Sequence, residues 1–156
     1  MSRRGRVAKR ELTPDPRYNS QPVAKLINSV MRNGKKRTAE GIVYGAFDII
    51  EGQMKKDPTV IFEQAMKNAT PLVQVKPRRV AGATYQVPVD VSGTRGTVLA
   101  TRWLLAGAKA RKDRSMTQKL AAELMDAAQG QGSAIKKREE LHKMAQANRA
   151  FVHFRY

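Results

Sequence analysis

The chain has 156 residues, with 30 Lys plus Arg against 13 Asp plus Glu, a formal charge of +17 on a composition that is 41% hydrophobic. Repulsion on that scale calls for a polyanionic partner, yet enough apolar residues are present to bury a core, so the charge belongs to a folded body and not to a disordered basic tail. Cysteine is absent, which excludes disulfides, thiolate nucleophiles and cysteine-based metal sites; no apolar run approaches the roughly 20 residues of a membrane span, and the basic start lacks the apolar segment of a secretory signal.

Residues 1–20 carry six bases and two acids, and Arg3, Arg4, Arg6, Lys9 and Arg10 fall in a stretch without helical pattern. Such a tail suits ordering along a phosphate backbone, although a merely solubilising tail fits these residues nearly as well. Ser20 then reads as an N-cap with Pro22 just inside a first helix, whose apolar positions Val23, Leu26, Ile27, Val30 and Met31 keep the i, i+3, i+4 spacing up to a stop at Asn33-Gly34. A second helix carries Ala39, Ile42, Val43, Ala46, Phe47 and Ile50 on one face. It opens with Lys35, Lys36 and Arg37, where the helix dipole disfavours cations. A residue choice that opposes local stability hints at function. Asp57-Pro58 predicts the cap and first position of a third helix through Ile61, Phe62, Ala65 and Ala69.

The period then changes. Leu72 to Pro77 is β-rich, and Tyr85, Val87, Val89 and Val91 alternate with Gln86, Pro88 and Asp90. Residues 78–84 between them read as a hairpin turn containing Gly82. Pro77 and Pro88 cannot donate ladder hydrogen bonds, so this is an isolated two-stranded arm over 72–91, and such an arm needs something to lean on. Helix resumes after Ser92-Gly93-Thr94, with Leu99, Trp103, Ala106 and Ala110 expected inward. Ser115 caps a fifth helix that turns Met116, Leu120, Leu124, Ala127 and Ala128 inward and ends at Gly130. A last helix runs from Ser133 to about Asn148, with Leu141, Met144, Ala145 and Asn148 as its stripe. The predicted fold is mainly α: one domain over 1–156, a six-helix bundle-like body with a protruding β-hairpin arm, a basic tail over 1–19 and a basic, aromatic end over 149–156.

Catalysis is poorly provisioned. The only histidines are His142 and His153, and His142 reads as a surface side chain of a charged helix. Glu139 and Glu140 are adjacent and so point apart on a helix. Neither Gly130-x-Gly132 nor Gly34-Lys35 completes a nucleotide-binding motif. No enzyme activity, metal, cofactor or small-molecule substrate is expected.

Binding features are plentiful. Lys76, Arg78 and Arg79 crowd the arm, and two-stranded basic arms fit nucleic-acid grooves; the plainer alternative is an edge hairpin kept soluble by its charges. Residues 102–119 carry six bases and one acid, among them Arg102, Arg111, Arg114 and Lys119, and Gly93-Thr94-Arg95-Gly96 ahead of them suits a phosphate. The end, Phe151-Val152-His153-Phe154-Arg155-Tyr156, interleaves rings and a cation as base-stacking surfaces do. Equally, those rings fit a role in tucking the last helix onto the body. Clusters recurring on several elements indicate one basic surface assembled in three dimensions.

The motifs also have a family likeness. Leu26-Ile27, Gly34-Lys35-Lys36 and Ile42-Val43 at their spacing resemble the signature of the small-subunit ribosomal protein seven family in its bacterial and plastid form. The likeness continues through Arg78-Arg79-Val80-x-Gly82-Ala83-x-Tyr85-Gln86-Val87-Pro88, Arg102-Trp103-Leu104, Glu123-Leu124-Met125-Asp126-Ala127-Ala128 and Ala147-Asn148-Arg149-Ala150. Pro22 departs from the expected pattern, which bears only on where the first helix begins. The resemblance implies a primary binder of the 3′ major domain of small-subunit ribosomal RNA that nucleates assembly of the subunit head, in the cytoplasm or in a plastid stroma. Arm and C-terminal region would lie near exit-site tRNA and the mRNA path, with ribosomal proteins nine and eleven as neighbours. The expected rRNA contacts are Arg3, Arg4, Arg6, Arg10, Lys35, Lys36, Arg37, Lys76, Arg78, Arg79, Arg95, Arg102, Arg111, Arg114, Met116 and Lys119. Arg79, Gly82, Arg149, Arg155 and Tyr156 would face the tRNA. Two rivals are a histone-like DNA-compacting protein, which would bind any duplex, and a membrane-surface protein; no helix pairs a wide apolar face with a solidly basic one, which argues against the latter.

Overall fold

Ser20 leaves extended backbone and Pro22 occupies the first turn of α1 (Gln21–Val30), which buries Val23, Leu26 and Ile27. In this computed structural model, which describes Gly5 and residues 12–155, α1 stops at Val30, earlier than Asn33-Gly34 suggested. Met31 already has extended ψ while its N–H still bonds Ile27, and Asn33 and Gly34, with φ of 52° and 73°, then reverse the chain. Helix α2 (Lys36–Met54) follows with Ala39, Val43, Ala46, Phe47 and Ile50 buried. The Asp57 carboxylate accepts the Thr59 N–H at 2.8 Å and opens α3 (Pro58–Ala69) as the sequence predicts.

The strands are longer and the turn tighter than expected. β1 (Val73–Val80) pairs antiparallel with β2 (Ala83–Asp90), Val80 facing Ala83, so the turn is only Ala81-Gly82. Both residues have positive φ, 48° and 88°, the pair of values a two-residue hairpin turn needs to match strand twist. Arg78 and Arg79 therefore lie within β1 and not in a loop.

Helix α4 (Gly93–Ala110) is rotated from the expected face. Gly96, Ala100, Leu104, Leu105, Gly107 and Ala108 are buried, whereas Leu99 and Trp103 are half-buried and Ala106 and Ala110 are exposed. Helix α5 (Met116–Ala128), opened by a Ser115–Gln118 capping box, packs on α2, α3 and α4 and buries Leu120, Ala121, Leu124 and Ala127. The Phe47 and Phe62 rings, 5.9 Å apart, lie in the same core. Helix α6 (Ser133–Ala147) lies against α4 and β1 through Ala134, Ile135 and Ala145; Met144, expected on its inner stripe, is exposed. A 3₁₀ helix, Arg149–Arg155, ends the chain along β2.

Two buried carboxylates tie this body together. Asp15 accepts the N–H groups of Arg17 and Tyr18, both at 3.1 Å, and the Tyr44 hydroxyl at 2.7 Å. Burial, then the bond to Asp15, pushes the Tyr44 pKa up to about 12. Glu123, 1% exposed, accepts Arg111 Nε at 2.8 Å, Ser133 Oγ at 3.0 Å and the Ala134 N–H at 3.2 Å. It thereby supplies α6 with the capping acceptor that Gly132 cannot. A Cβ at Gly107 would collide with this carboxylate, so glycine there lets α4 approach it.

Candidate nucleic-acid interface

The arm is placed by three attachments. Val87 is buried at 1% exposure. The Leu72 N–H, just before β1, donates to His142 Nε2 of α6 at 3.2 Å. Farther out, Tyr85 of β2 sits among the terminal rings, 5.2 Å from Phe151 and 4.9 Å from Phe154 by centroid, and Arg78 donates to the Phe154 carbonyl at 2.9 Å. Of the two readings of the terminal rings, tucking describes Phe151 and Phe154, although the surface they lean on is the arm. The surface-histidine reading of His142 is corrected likewise. It is half-buried and partnered, and burial, with a smaller repulsion from Arg138, lowers its pKa.

Cations crowd the remaining surface of this assembly. Lys76, Arg78 and Arg79 are exposed on β1, and alternation puts Arg79 on the face opposite the other two. At the base of the arm, Lys76 and Arg95, the latter in the first turn of α4, line one groove of about 400 Å³ together with Gln74 and Asp90. Arg102 lines a larger groove of about 730 Å³ between α1 and α4, shared with Lys25 and Lys109. Arg114 lies with Lys112 beside Gln53 of α2, in the connection before α5, and Lys119 is half-buried on α5. Lys35 caps α2, and Lys36 and Arg37 begin it, all exposed; Lys36 makes only a loose 3.8 Å pair with Glu40. Exposed pairs of that kind contribute little, so this cluster stays available to an anion. Gly82 sits exposed at the arm's tip, and Arg149 is exposed at the start of the 3₁₀ helix.

Two expected contacts face inward instead. The Arg111 guanidinium is held by Glu123, with Nη2 2.7 Å from Oε2, and by Asp126. Burial disfavours its charge, but the bonds to Asp126 and Glu123 outweigh that and raise its pKa. Met116 is half-buried against the core. Arg3, Arg4, Arg6, Arg10 and Tyr156, and the side chain of Arg155, lie outside the described residues. Lys25 was not singled out in the sequence, because nothing in a lone lysine on an amphipathic helix shows that it will stand across a groove from Arg102.

Among the described residues, no helix is long and apolar enough to cross a membrane, and no cluster of His, Asp and Glu has the makings of a metal site. What the geometry offers is a set of exposed cations spread over the helices and a buttressed arm.

Comparison with known proteins places this arrangement. The family model described as ribosomal protein S7p/S5e matches residues 2–149. The protein called small ribosomal subunit protein uS7 from Xanthobacter autotrophicus is 54% identical over 156 residues, covering all of both chains. Its namesakes from Clostridium kluyveri and Saccharophagus degradans are 54% and 56% identical over the same full length. With a family model spanning nearly the whole chain and relatives matched end to end, the chain belongs to the S7p/S5e family of ribosomal proteins, as a protein of the small subunit.

Proposed function

We propose that this small-subunit protein is a primary binder of the 3′ major domain of ribosomal RNA and nucleates assembly of the subunit head. The observation that carries the reading is the distribution of solvent-facing cations. Lys35, Lys36 and Arg37 on α2, Lys76, Arg78 and Arg79 on the arm, Arg95 and Arg102 on α4, and Arg114 and Lys119 around α5 project from separate elements of one folded body. A rigid, many-sided array suits a junction of A-form helices, whose deep major groove is closed to side chains and which is recognised by shape, phosphates and 2′-hydroxyls. Arg111, bound by Glu123 and Asp126, and Met116, half-buried against the core, are left out of this contact set.

The arm and the 3₁₀ helix form one attached unit, and in the proposed function that unit faces exit-site tRNA and the mRNA path. Arg79, Gly82, Arg149, Arg155 and Tyr156 are its contact residues, and ribosomal proteins nine and eleven are its neighbours. The protein would act in the cytoplasm, or in the stroma if plastid-encoded. Reconstitution of small subunits without this protein tests the reading. Omission should leave the head unassembled, and adding the protein back should restore it; a head that forms normally without it would contradict the nucleating role.

A further inference from the structure

The groove of about 730 Å³ between α1 and α4 has an apolar floor and a basic rim. Met66, Val98 and Leu105 contribute to the floor, and Val98 remains 45% exposed, a large apolar side chain left uncovered on the groove. Lys25 on α1 and Arg102 and Lys109 on α4 stand around it. Among the described residues none of the three enters an ion pair, and no acid lines the groove. Arg102 and Lys109 are seven residues apart, so they lie on the same side of α4, about 10 Å apart along its axis. Asn28, also on the lining, offers an amide that can both donate and accept.

A flat apolar face beside negative charge, with a polar edge to be matched, describes an unstacked nucleotide. Unpaired bases are also where proteins read RNA sequence, since paired A-form helices hide their edges. We infer that the α1–α4 groove is a nucleotide pocket, which takes an unpaired base of the ribosomal RNA against Met66, Val98 and Leu105 while Lys25, Arg102 and Lys109 hold the adjoining phosphates. An acidic helix of another protein would meet the same rim, but the chain's net charge of +17 and its place in a ribosomal family favour RNA. The inference rests on the RNA-binding reading and adds to it a base-specific contact.

The test uses the full-length protein, 3′ major domain RNA, and two variants. Val98→Asp puts a carboxylate on the groove floor, and Val60→Asp does the same at an exposed valine of α3 that does not line the groove. Melting followed by circular dichroism establishes that both fold. Losing a base contact should weaken binding of Val98→Asp about tenfold relative to Val60→Asp. Short-wave ultraviolet irradiation of the wild-type complex should crosslink RNA to the tryptic peptides Gly96–Arg102 or Trp103–Lys109. Equal affinity of the two variants, or crosslinks confined to peptides that carry no lining residue of the groove, overturns the pocket. Equal affinities with a melting temperature lowered only by Val98→Asp would assign the groove to the chain's own N-terminal residues. If the wild-type protein shows no preference for this RNA over other ribosomal RNA while the groove crosslink and the tenfold loss persist, the primary-binder reading fails and the pocket stands.

Discussion

Removing the buried carboxylate by Glu123→Ala should unlatch α6 from α4 and α5. The change strips Arg111 of its buried partner and leaves it only Asp126; it also strands the Ser133 hydroxyl and the Ala134 N–H at the start of α6. Breaking a fully buried ion pair costs about 3–5 kcal/mol. Arg111 remains 25% exposed and keeps one carboxylate, so the lower end, about 3 kcal/mol, applies. For a domain of this length each kcal/mol moves the melting temperature by roughly 2–4 °C, so thermal unfolding at neutral pH should fall by about 6–12 °C. Arg111→Met alone should be similarly damaging, since it leaves Glu123 charged and buried. Combining Arg111→Met with Glu123→Leu should cost much less than the two single losses added, because it removes both charges. A Glu123→Ala melting temperature within about 2 °C of wild type would refute the idea that this carboxylate holds the three helices together.

Replacing Arg78 and Arg79 together by alanine should make the dependence of log affinity on log salt shallower by about 1.4–1.8, the counterions released by two phosphate contacts; an unchanged slope in an RNA titration would make the arm's cations structural. Tyr85→Ala removes two ring contacts of about 0.5–1.5 kcal/mol each. It should speed amide exchange across β1 and β2 by about tenfold or more while the helices α2 and α5 keep their protection; uniform exchange rates would mean that the terminal rings do not brace the arm. His142 supplies a pH dependence. Its pKa is lowered by burial, so the unfolded chain takes up the proton first, and the stabilisation is full above the ordinary histidine value of about 6.5. It declines as pH falls below that value and levels off under the lowered folded pKa. Protection of the Leu72 amide should follow the same course, and His142→Ala should abolish the dependence.

Helix starts were largely legible because caps are local. Ser20 with Pro22, Asp57-Pro58 and Ser115 each mark a start within a few residues, and the structure begins α1, α3 and α5 there. Faces were less legible where packing depends on small residues. Gly96, Ala100, Gly107 and Ala108 share the buried face of α4 with Leu104 and Leu105 and carry little hydropathic signal, whereas the helical stripe read from Leu99 runs through Trp103, Ala106 and Ala110 instead. The hairpin turn was overestimated because Ala81 is an unusual residue for positive φ, so Gly82 alone announced the turn. For the site, exposed cations could be listed from charge runs but not sorted. Arg111 reads like Arg102 until the fold brings Glu123, twelve residues on, against it. The same holds for His142 and Leu72, seventy residues apart, and for Tyr85 with Phe151 and Phe154.

The most direct test of the proposed function is competition binding of the purified protein to 3′ major domain RNA, against another ribosomal RNA domain and a length-matched DNA duplex, at several salt concentrations. A primary binder should keep its preference for the first RNA at physiological salt, with a steep log–log salt slope from counterion release. Equal affinity for all three would mean that charge alone drives binding, and would contradict the assignment as a primary ribosomal RNA binder.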